Sequence, residues 1–363
     1  MTADPRGAIA FAEKVMALLD HGSRSTSYKY AVLLGLIDLS LEGYSAAGAA
    51  SEVVTTPQLA EAVTRIYWPQ VAPYADGLGA LKQSTTGQAE IVSLVADSRA
   101  GLGSVSLARA RRDAPEAHRR LLREVEWKLV EMPLPRLQIF GRQEDRFIYE
   151  IGWDTKIRRR DFNDTARFNN AILLRPGVAD HLVRLDGLLR PLLQRGWASQ
   201  VAAINRLDDG RLESHLFGVD RIGLRPVKAG LLELQDHRCF YCERRLRDDE
   251  AGEVDHFLPW SRIPLDTVEN LVVADNACNG QKRAFLAAAA HLRRWRERLG
   301  QADALAAIAD AARWESSVSR TLGVARALYL PLGVDARLWS AGSTFELAQP
   351  AALRAALSAR ATG

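Results

Sequence analysis

A chain of 363 residues, 47% hydrophobic and 25% charged, has the composition of a folded globular protein and lies outside the disordered, collagen-like and cysteine-scaffold classes. Its length allows two or three domains, each with a full core. A net charge of +4 is too small a bias over this length to demand a polyanionic partner, and three cysteines, an odd number, argue against a disulfide framework and for buried, reactive or metal-bound thiols in a reducing compartment.

The longest apolar runs, around 31–39 and 284–290, fall short of the roughly 18–20 residues that span a bilayer. Asp4, Arg6, Glu13 and Lys14 break up the first segment, so neither a transmembrane helix nor a signal peptide is expected, and the chain is assigned to the cytoplasm with no membrane partner. In chain order, Pro5 after Asp4 opens a first helix with Ala8, Phe11, Val15, Leu18 and Leu19 at helical spacing. Thr26 or Ser27 caps a second, which runs to Glu42 and stops at Gly43. Thr56 and Pro57 start a third, with Leu59, Val63, Ile66 and Tyr67 on its apolar face, and helical periods over 88–98 and 114–131 complete an all-helical region. Met132-Pro-Leu-Pro135 ends it. Leu137 and Ile139, then Phe147, Tyr149 and Ile151, alternate on either side of polar Gly141–Asp145, which predicts a β-hairpin with a five-residue loop. Helical periods return over 178–206, broken at Pro191, and Leu207-Asp-Asp-Gly-Arg211 reads as a linker, with a boundary within 209–225. The division expected is a helical domain 1–131, a hairpin plus helical region 132–220, a chemistry-bearing module 221–300 and an Ala-rich helical extension 301–363.

The informative residues are Cys239-Phe-Tyr-Cys242, Glu253-Val-Asp-His-Phe-Leu-Pro-Trp260 and Asn270-Leu through Cys278-Asn-Gly-Gln-Lys282. They supply five features in order: a Cys-x-x-Cys knuckle, an Asp-His-x-x-Pro strand, an Asn-Leu pair fourteen residues after the histidine, a third cysteine followed by Asn, and a Lys three residues beyond. Each is weak alone, but all five fall between 239 and 282, and this segment resembles the HNH endonucleases of the ββα-metal nuclease superfamily. The fold expected is therefore mainly α with a small α+β module: a helical N-terminal region, a short β-hairpin, a zinc-knuckle ββα unit and C-terminal helices. Tyr67-Trp-Pro-Gln70, Leu81-Lys-Gln-Ser84 with Gly87-Gln-Ala-Glu90, Leu188-Leu-Arg-Pro-Leu192 with Trp197, and His291-Leu-Arg-Arg-Trp295 extend the resemblance to bacterial HNH proteins with a long helical region before the nuclease module.

The resemblance implies a metal-dependent endonuclease that hydrolyses phosphodiester bonds in DNA, in bacterial restriction or defence. Such hydrolysis needs a deprotonated water, a counter-charge for the transition state and stabilisation of the leaving 3′-oxygen. His256 is the candidate general base, because imidazole is the side chain that titrates near neutrality. Asp255 and, by the resemblance, Asn279 are the candidate ligands of Mg²⁺ or Mn²⁺, hard oxygen donors suited to a hard ion. By the same resemblance, Asn270 is a candidate site residue that holds the loop between strand and helix and helps to position His256; Lys282, with Arg283 and Arg262, is the candidate phosphate contact, against the alternative of a solvated helix face for Lys282 and Arg283. The resembled family implies a structural Zn²⁺ on Cys239, Cys242, Cys278 and Asp275, which stands where the family carries Cys or His, with His237 as a rival fourth ligand. Three reduced thiols packed as small apolar groups are the alternative. Lys82, Arg146, Lys156, Arg158, Arg159 and Arg160 offer a second basic surface for positioning DNA, or a solvated face. A homodimer or a defence partner subunit is the expected company. A zinc-stabilised nucleic-acid-binding or adaptor protein that does not cut, or an RNase, is the alternative function.

Overall fold

Helices dominate the computed structural model, which describes residues 5–21, 25–74, 79–103, 106–140, 143–208, 212–217, 223–246 and 252–358. The chain divides into two units, Met1–Ser40 with Ala50–Asp220 and Leu41–Ala49 with Arg221–Gly363. No single helix among the described residues is long and apolar enough to cross a membrane.

The first unit carries helices α1 (Pro5–His21), α2 (Tyr28–Glu42, whose last two residues belong to the second unit), α3 (Thr56–Gln70), α4 (Glu90–Leu102), α5 (Leu107–Asp113), α6 (Pro115–Glu131), α7 (Arg159–Asn163), α8 (Val178–Arg184), α9 (Asp186–Asn205) and α10 (Leu212–Phe217). Among them lie strands β1 (Val53–Thr55), β2 (Ile139–Phe140), β3 (Gln143–Glu144), β4 (Tyr149–Ile151) and β5 (Ala171–Leu174). The α3 cap is Thr55, one residue before the expected Thr56, and it forms a reciprocal box with Gln58. The N-terminal region is not purely helical: β1 pairs antiparallel with β5, and β5 with β4, in a three-stranded sheet ordered β1-β5-β4. The expected hairpin is accordingly redistributed. Ile139–Phe140 pair with Gln143–Glu144 across a tighter turn, whereas Tyr149 and Ile151 pair with Leu174 and Ile172; the apolar strand around Ile172 is the better partner because it lets Tyr149 be buried completely. Residues 141–142 of the expected loop and 209–211 of the linker lie outside the described residues. Pro191 sits inside α9, and the break falls at Leu185 instead.

Residues of the Tyr67–Gln70 and Leu81–Ser84 motifs meet Trp197 in this unit's core. Ser27 Oγ and Trp197 Nε1 both donate to Gln83 Oε1 at 2.7 Å, Gln83 Nε2 donates to Gln70 Oε1 at 2.9 Å, and Ser27 Oγ lies 2.8 Å from the Tyr67 hydroxyl. Arg190, buried in α9, is held between Asp38 and Asp186 at 2.7 and 2.8 Å. These are partners for polar groups removed from water, which fix one packing arrangement.

The second unit consists of α11 (Arg225–Leu234), β6 (Glu253–His256), β7 (Leu271–Ala274), α12 (Asn276–Lys282), α13 (Ala289–Arg298), α14 (Ala302–Ala312), α15 (Val318–Tyr329), β8 (Arg337–Ala341), β9 (Thr344–Leu347) and α16 (Pro350–Ser358). β7 is an unbroken apolar run and is buried throughout; it pairs antiparallel with β6, Asp255 opposite Val272 and His256 opposite Leu271. Gln235, after α11, brackets β7 by donating to the Val273 carbonyl at 2.8 Å and accepting from its N–H at 2.9 Å. α13 fastens the other side: Trp295 stacks on Phe257 with ring centroids 5.0 Å apart and donates to the Glu269 carbonyl at 2.9 Å, and Arg298 donates to the Leu271 and Glu269 carbonyls. The β8–β9 hairpin, which no sequence signal announced, bonds through Trp339 to Leu286 and Ala288. α15 runs so close to the end of α2 that a Cβ on Gly323 would lie 1.8 Å from the Glu42 carbonyl oxygen, and Arg320 reaches Glu42 at 3.1 Å.

Candidate functional site

Two adjoining clusters occupy the β6–β7–α12 segment. The first gathers the cysteines. The turn after α11 has left-handed backbone at Asp236, His237 and Glu243, which folds Cys239 and Cys242 back to the start of α12, where Asp275 is the N-cap and Cys278 lies in the first turn. One ligand atom from each of Cys239, Cys242, Asp275 and Cys278 lies within 4.8 Å of the others. A tetrahedral ion with Zn–S near 2.3 Å sets its ligands roughly 3.8 Å apart, so this soft donor set fits zinc after a small contraction. His237, the rival fourth ligand, is not among the four; it is exposed in the turn. Cys242 Sγ donates to Asp275 Oδ2 at 2.9 Å and the Cys278 N–H to Oδ1 at 2.8 Å. Burial works against ionisation of Asp275, but these bonds outweigh it and hold the carboxyl well below the ordinary carboxylate range. Burial raises the Cys239 thiol to about 11 and pushes Cys278 up too, so a metal ion must displace their protons to bind.

The second cluster surrounds Asp255. Tyr241, between the two knuckle cysteines, donates its hydroxyl to Asp255 Oδ2 at 2.6 Å, and the Lys282 ammonium lies 3.0 Å from the same oxygen and donates to the His256 carbonyl at 2.8 Å. Burial, reinforced by Asp255, pushes the Tyr241 phenol far up, so it remains a donor; burial pulls the Lys282 ammonium down, with Asp255 pulling it back. Lys282 therefore differs from both expectations. Its side chain is fully buried, neither on a solvated helix face nor turned outward to a phosphate, because α12 packs its Asn279–Lys282 face against β6. Asn279 Nδ2 donates to Glu253 Oε2 at 2.6 Å, and Glu253 shares a strand face with Asp255 two residues on. Among the described residues, Asp255 Oδ1 and the Asn279 amide oxygen form no hydrogen bond. A carboxylate and an amide oxygen suit Mg²⁺ or Mn²⁺, which bind through few protein ligands and keep several waters.

His256, next along β6, is mostly buried and its Nε2 lies 2.7 Å from Asp266 Oδ1. The Trp260 ring lies 5.1 Å from the imidazole, centroid to centroid. Asn270 holds the intervening loop: its Nδ2 donates to the Leu258 and Leu265 carbonyls at 3.1 and 2.9 Å, and its Oδ1 accepts from the Leu258 N–H at 2.8 Å. The Asn270 side chain is buried, and all three bonds go to the backbone of this loop.

Of the outer basic groups, Arg262 and Arg283 are exposed, donating to the Ala284 and Gly280 carbonyls. In the first unit, Arg146 is paired with Glu144, Arg159 with Glu124 and Arg160 with Asp161, which leaves less net positive charge there than the sequence suggests; Lys82, Lys156 and Arg158 complete that set. Sequence reasoning assigned no role to Asp266, Glu253 or Tyr241. Only Glu253 carried a usable signal, its alternation with Asp255.

Residues 239–288 match the family model described as HNH endonuclease. The chain is also similar to Septu protein PtuB of Bacillus thuringiensis, 43% identical over 60 residues, which covers 15% of this chain and 23% of that protein. The chain thus spans about a quarter of the length of this relative. No solved structure matches the chain. With the knuckle, the Asp-His strand and the Asn-bearing helix assembled as described, residues 239–288 are a module of the HNH endonuclease family.

Proposed function

We propose that this chain is a metal-dependent endonuclease that hydrolyses phosphodiester bonds in DNA, in a bacterial defence or restriction setting in the cytoplasm. The observation that carries the reading is that β6 presents in succession Asp255, with one carboxylate oxygen unbonded, and His256, whose ring is held through Nε2, beside the helix that bears Asn279. His256 Nδ1 takes a proton from the attacking water as the water oxygen bonds to phosphorus; the P–O3′ bond breaks and the 3′-oxygen leaves, to be protonated by solvent. A Mg²⁺ or Mn²⁺ ion, held by Asp255 and Asn279, would supply positive charge to the phosphoryl and leaving oxygens. Tyr241 and Lys282 keep Asp255 in place, and Arg262 and Arg283 stand on the exposed rim for backbone phosphates. Zinc on Cys239, Cys242, Cys278 and Asp275 would be structural. The likeness to a Septu protein supports defence, and with it a partner subunit or a second copy of this chain.

The test incubates duplex DNA, single-stranded DNA and RNA with the purified chain and Mg²⁺ or Mn²⁺. DNA is expected to be cut. His256→Ala should fold, retain zinc and lose cleavage by at least about two orders of magnitude, the usual contribution of a general base. Cleavage of RNA alone would make the enzyme an RNase; wild-type rates from His256→Ala, free of contaminating nuclease, would leave a binding or adaptor role.

A further inference from the structure

We propose that Asp266 is a positioning residue for His256, fixing the imidazole so that Nδ1 carries the lone pair that faces the reacting water. The inference rests on the reading of His256 as the general base and adds a residue outside the recognised motif. An ionised carboxylate only accepts hydrogen bonds, so the 2.7 Å contact between Asp266 Oδ1 and His256 Nε2 places the ring proton on Nε2. In the neutral ring the other nitrogen is then the acceptor. Without this partner the two tautomers compete, and the fraction with its lone pair on Nε2 has no use at the site.

The surroundings of Asp266 make it a fixed support. Trp314 Nε1 donates to the Asp266 carbonyl at 2.5 Å. On one side Asn270 holds the Leu265 carbonyl at 2.9 Å; on the other Thr267 Oγ1 lies 2.6 Å from Thr321 Oγ1 and the Val268 N–H donates to the Glu315 carbonyl at 2.9 Å. Glu269, fully buried, accepts from Ser316 Oγ and the Ser317 N–H. The loop is thus fastened at consecutive residues to the 314–321 segment, and Trp260 limits rotation of the ring from another side. When the ring takes the proton, the carboxylate also faces the charge it acquires, as a third group orienting a catalytic base does.

The test reads the tautomer directly. Two-bond ¹⁵N–¹H correlation spectra of the full-length chain, with the His256 signals assigned by their loss in His256→Gln, should show the Nε2–H tautomer in wild type and a substantial Nδ1–H population in Asp266→Ala. On duplex DNA with saturating Mg²⁺, Asp266→Ala should lower kcat by about 10–100-fold, the usual effect of removing an orienting partner, with KM nearly unchanged; Asp266→Glu should recover part of the loss. If Asp266→Ala does not fold, Asp266→Leu, of similar volume and without a hydrogen-bonding group, takes its place in both measurements. An unchanged His256 tautomer, or wild-type kcat in the variant, would overturn the proposal. Should wild type cut no nucleic acid, the nuclease reading fails, while the tautomer measurement still decides whether Asp266 sets the ring.

Discussion

At Asp255, two groups share one carboxylate oxygen: Tyr241 and Lys282 hold Oδ2, and Oδ1 is unbonded among the described residues. The pairing is nearly dry, Lys282 fully buried and Asp255 13% exposed. Removing one partner of a buried ion pair leaves the other charge uncompensated, at a cost of about 3 kcal/mol. Lys282→Met, which keeps most of the stem volume, should therefore lower unfolding free energy by roughly that amount in urea titrations, and added Mg²⁺ should recover more stability in the variant than in wild type, since a second cation at Asp255 replaces the lost charge. A variant as stable as wild type would mean that Asp255 is solvated in solution. That the three cysteines gather, with Asp255 and His256 on a strand beside them, was legible in the sequence from their spacings; Asn279 entered through the family resemblance. The burial of Lys282 was not legible, because a seven-residue helix is too short for periodicity to tell its inner face from its outer one. Asp266 was invisible for another reason: its contact closes a ten-residue loop, and no spacing rule links a histidine to a carboxylate across a loop of unknown path.

The helices were read from their apolar periods and caps, and α1, α2, α3 and α6 lie where those signals put them, to within a few residues. The strands were harder. β1 and β4 are three residues each, and what makes them strands is β5, far away in the chain; alternation marks a strand but does not name its partner. The knuckle, strand and helix around the cysteines should depend on an ion for stability. Elemental analysis of protein purified without added metal should find about one zinc per chain. Cys242→Ser or Cys278→Ser should lower zinc content and thermal stability together and reduce DNA binding and cleavage in parallel, in contrast to His256→Ala. A folded, zinc-free preparation of normal stability would favour packed thiols. Asn270→Ala, which removes three hydrogen bonds from a buried loop, should cost on the order of 3 kcal/mol at about 1 kcal/mol for each bond, and lower cleavage through the displaced His256.

For the molecule as a whole, acid sensitivity is built into both units. His118 in the first and His291 in the second are buried, and burial pushes both below their ordinary value of 6.5. A group with a depressed folded-state value binds its proton more readily unfolded, so stability is lost as pH falls below the unfolded value. Melting temperature should hold between about pH 7 and 8 and drop below about 6.5, with His118→Gln and His291→Gln each flattening the curve; scanning calorimetry of the variants checks this. A wild-type curve that stays flat to pH 5 would mean that both rings find solvent or a partner on protonation. The Gly323–Glu42 contact has a bearing on how the second unit could be transplanted. Cutting the gene before residue 221 would sever Leu41–Ala49 from the fold they complete, stripping Arg320 of Glu42 and baring the groove at Gly323. The second unit is therefore no portable cassette: any fusion protein that borrows it has to bring along the short stretch Leu41–Ala49.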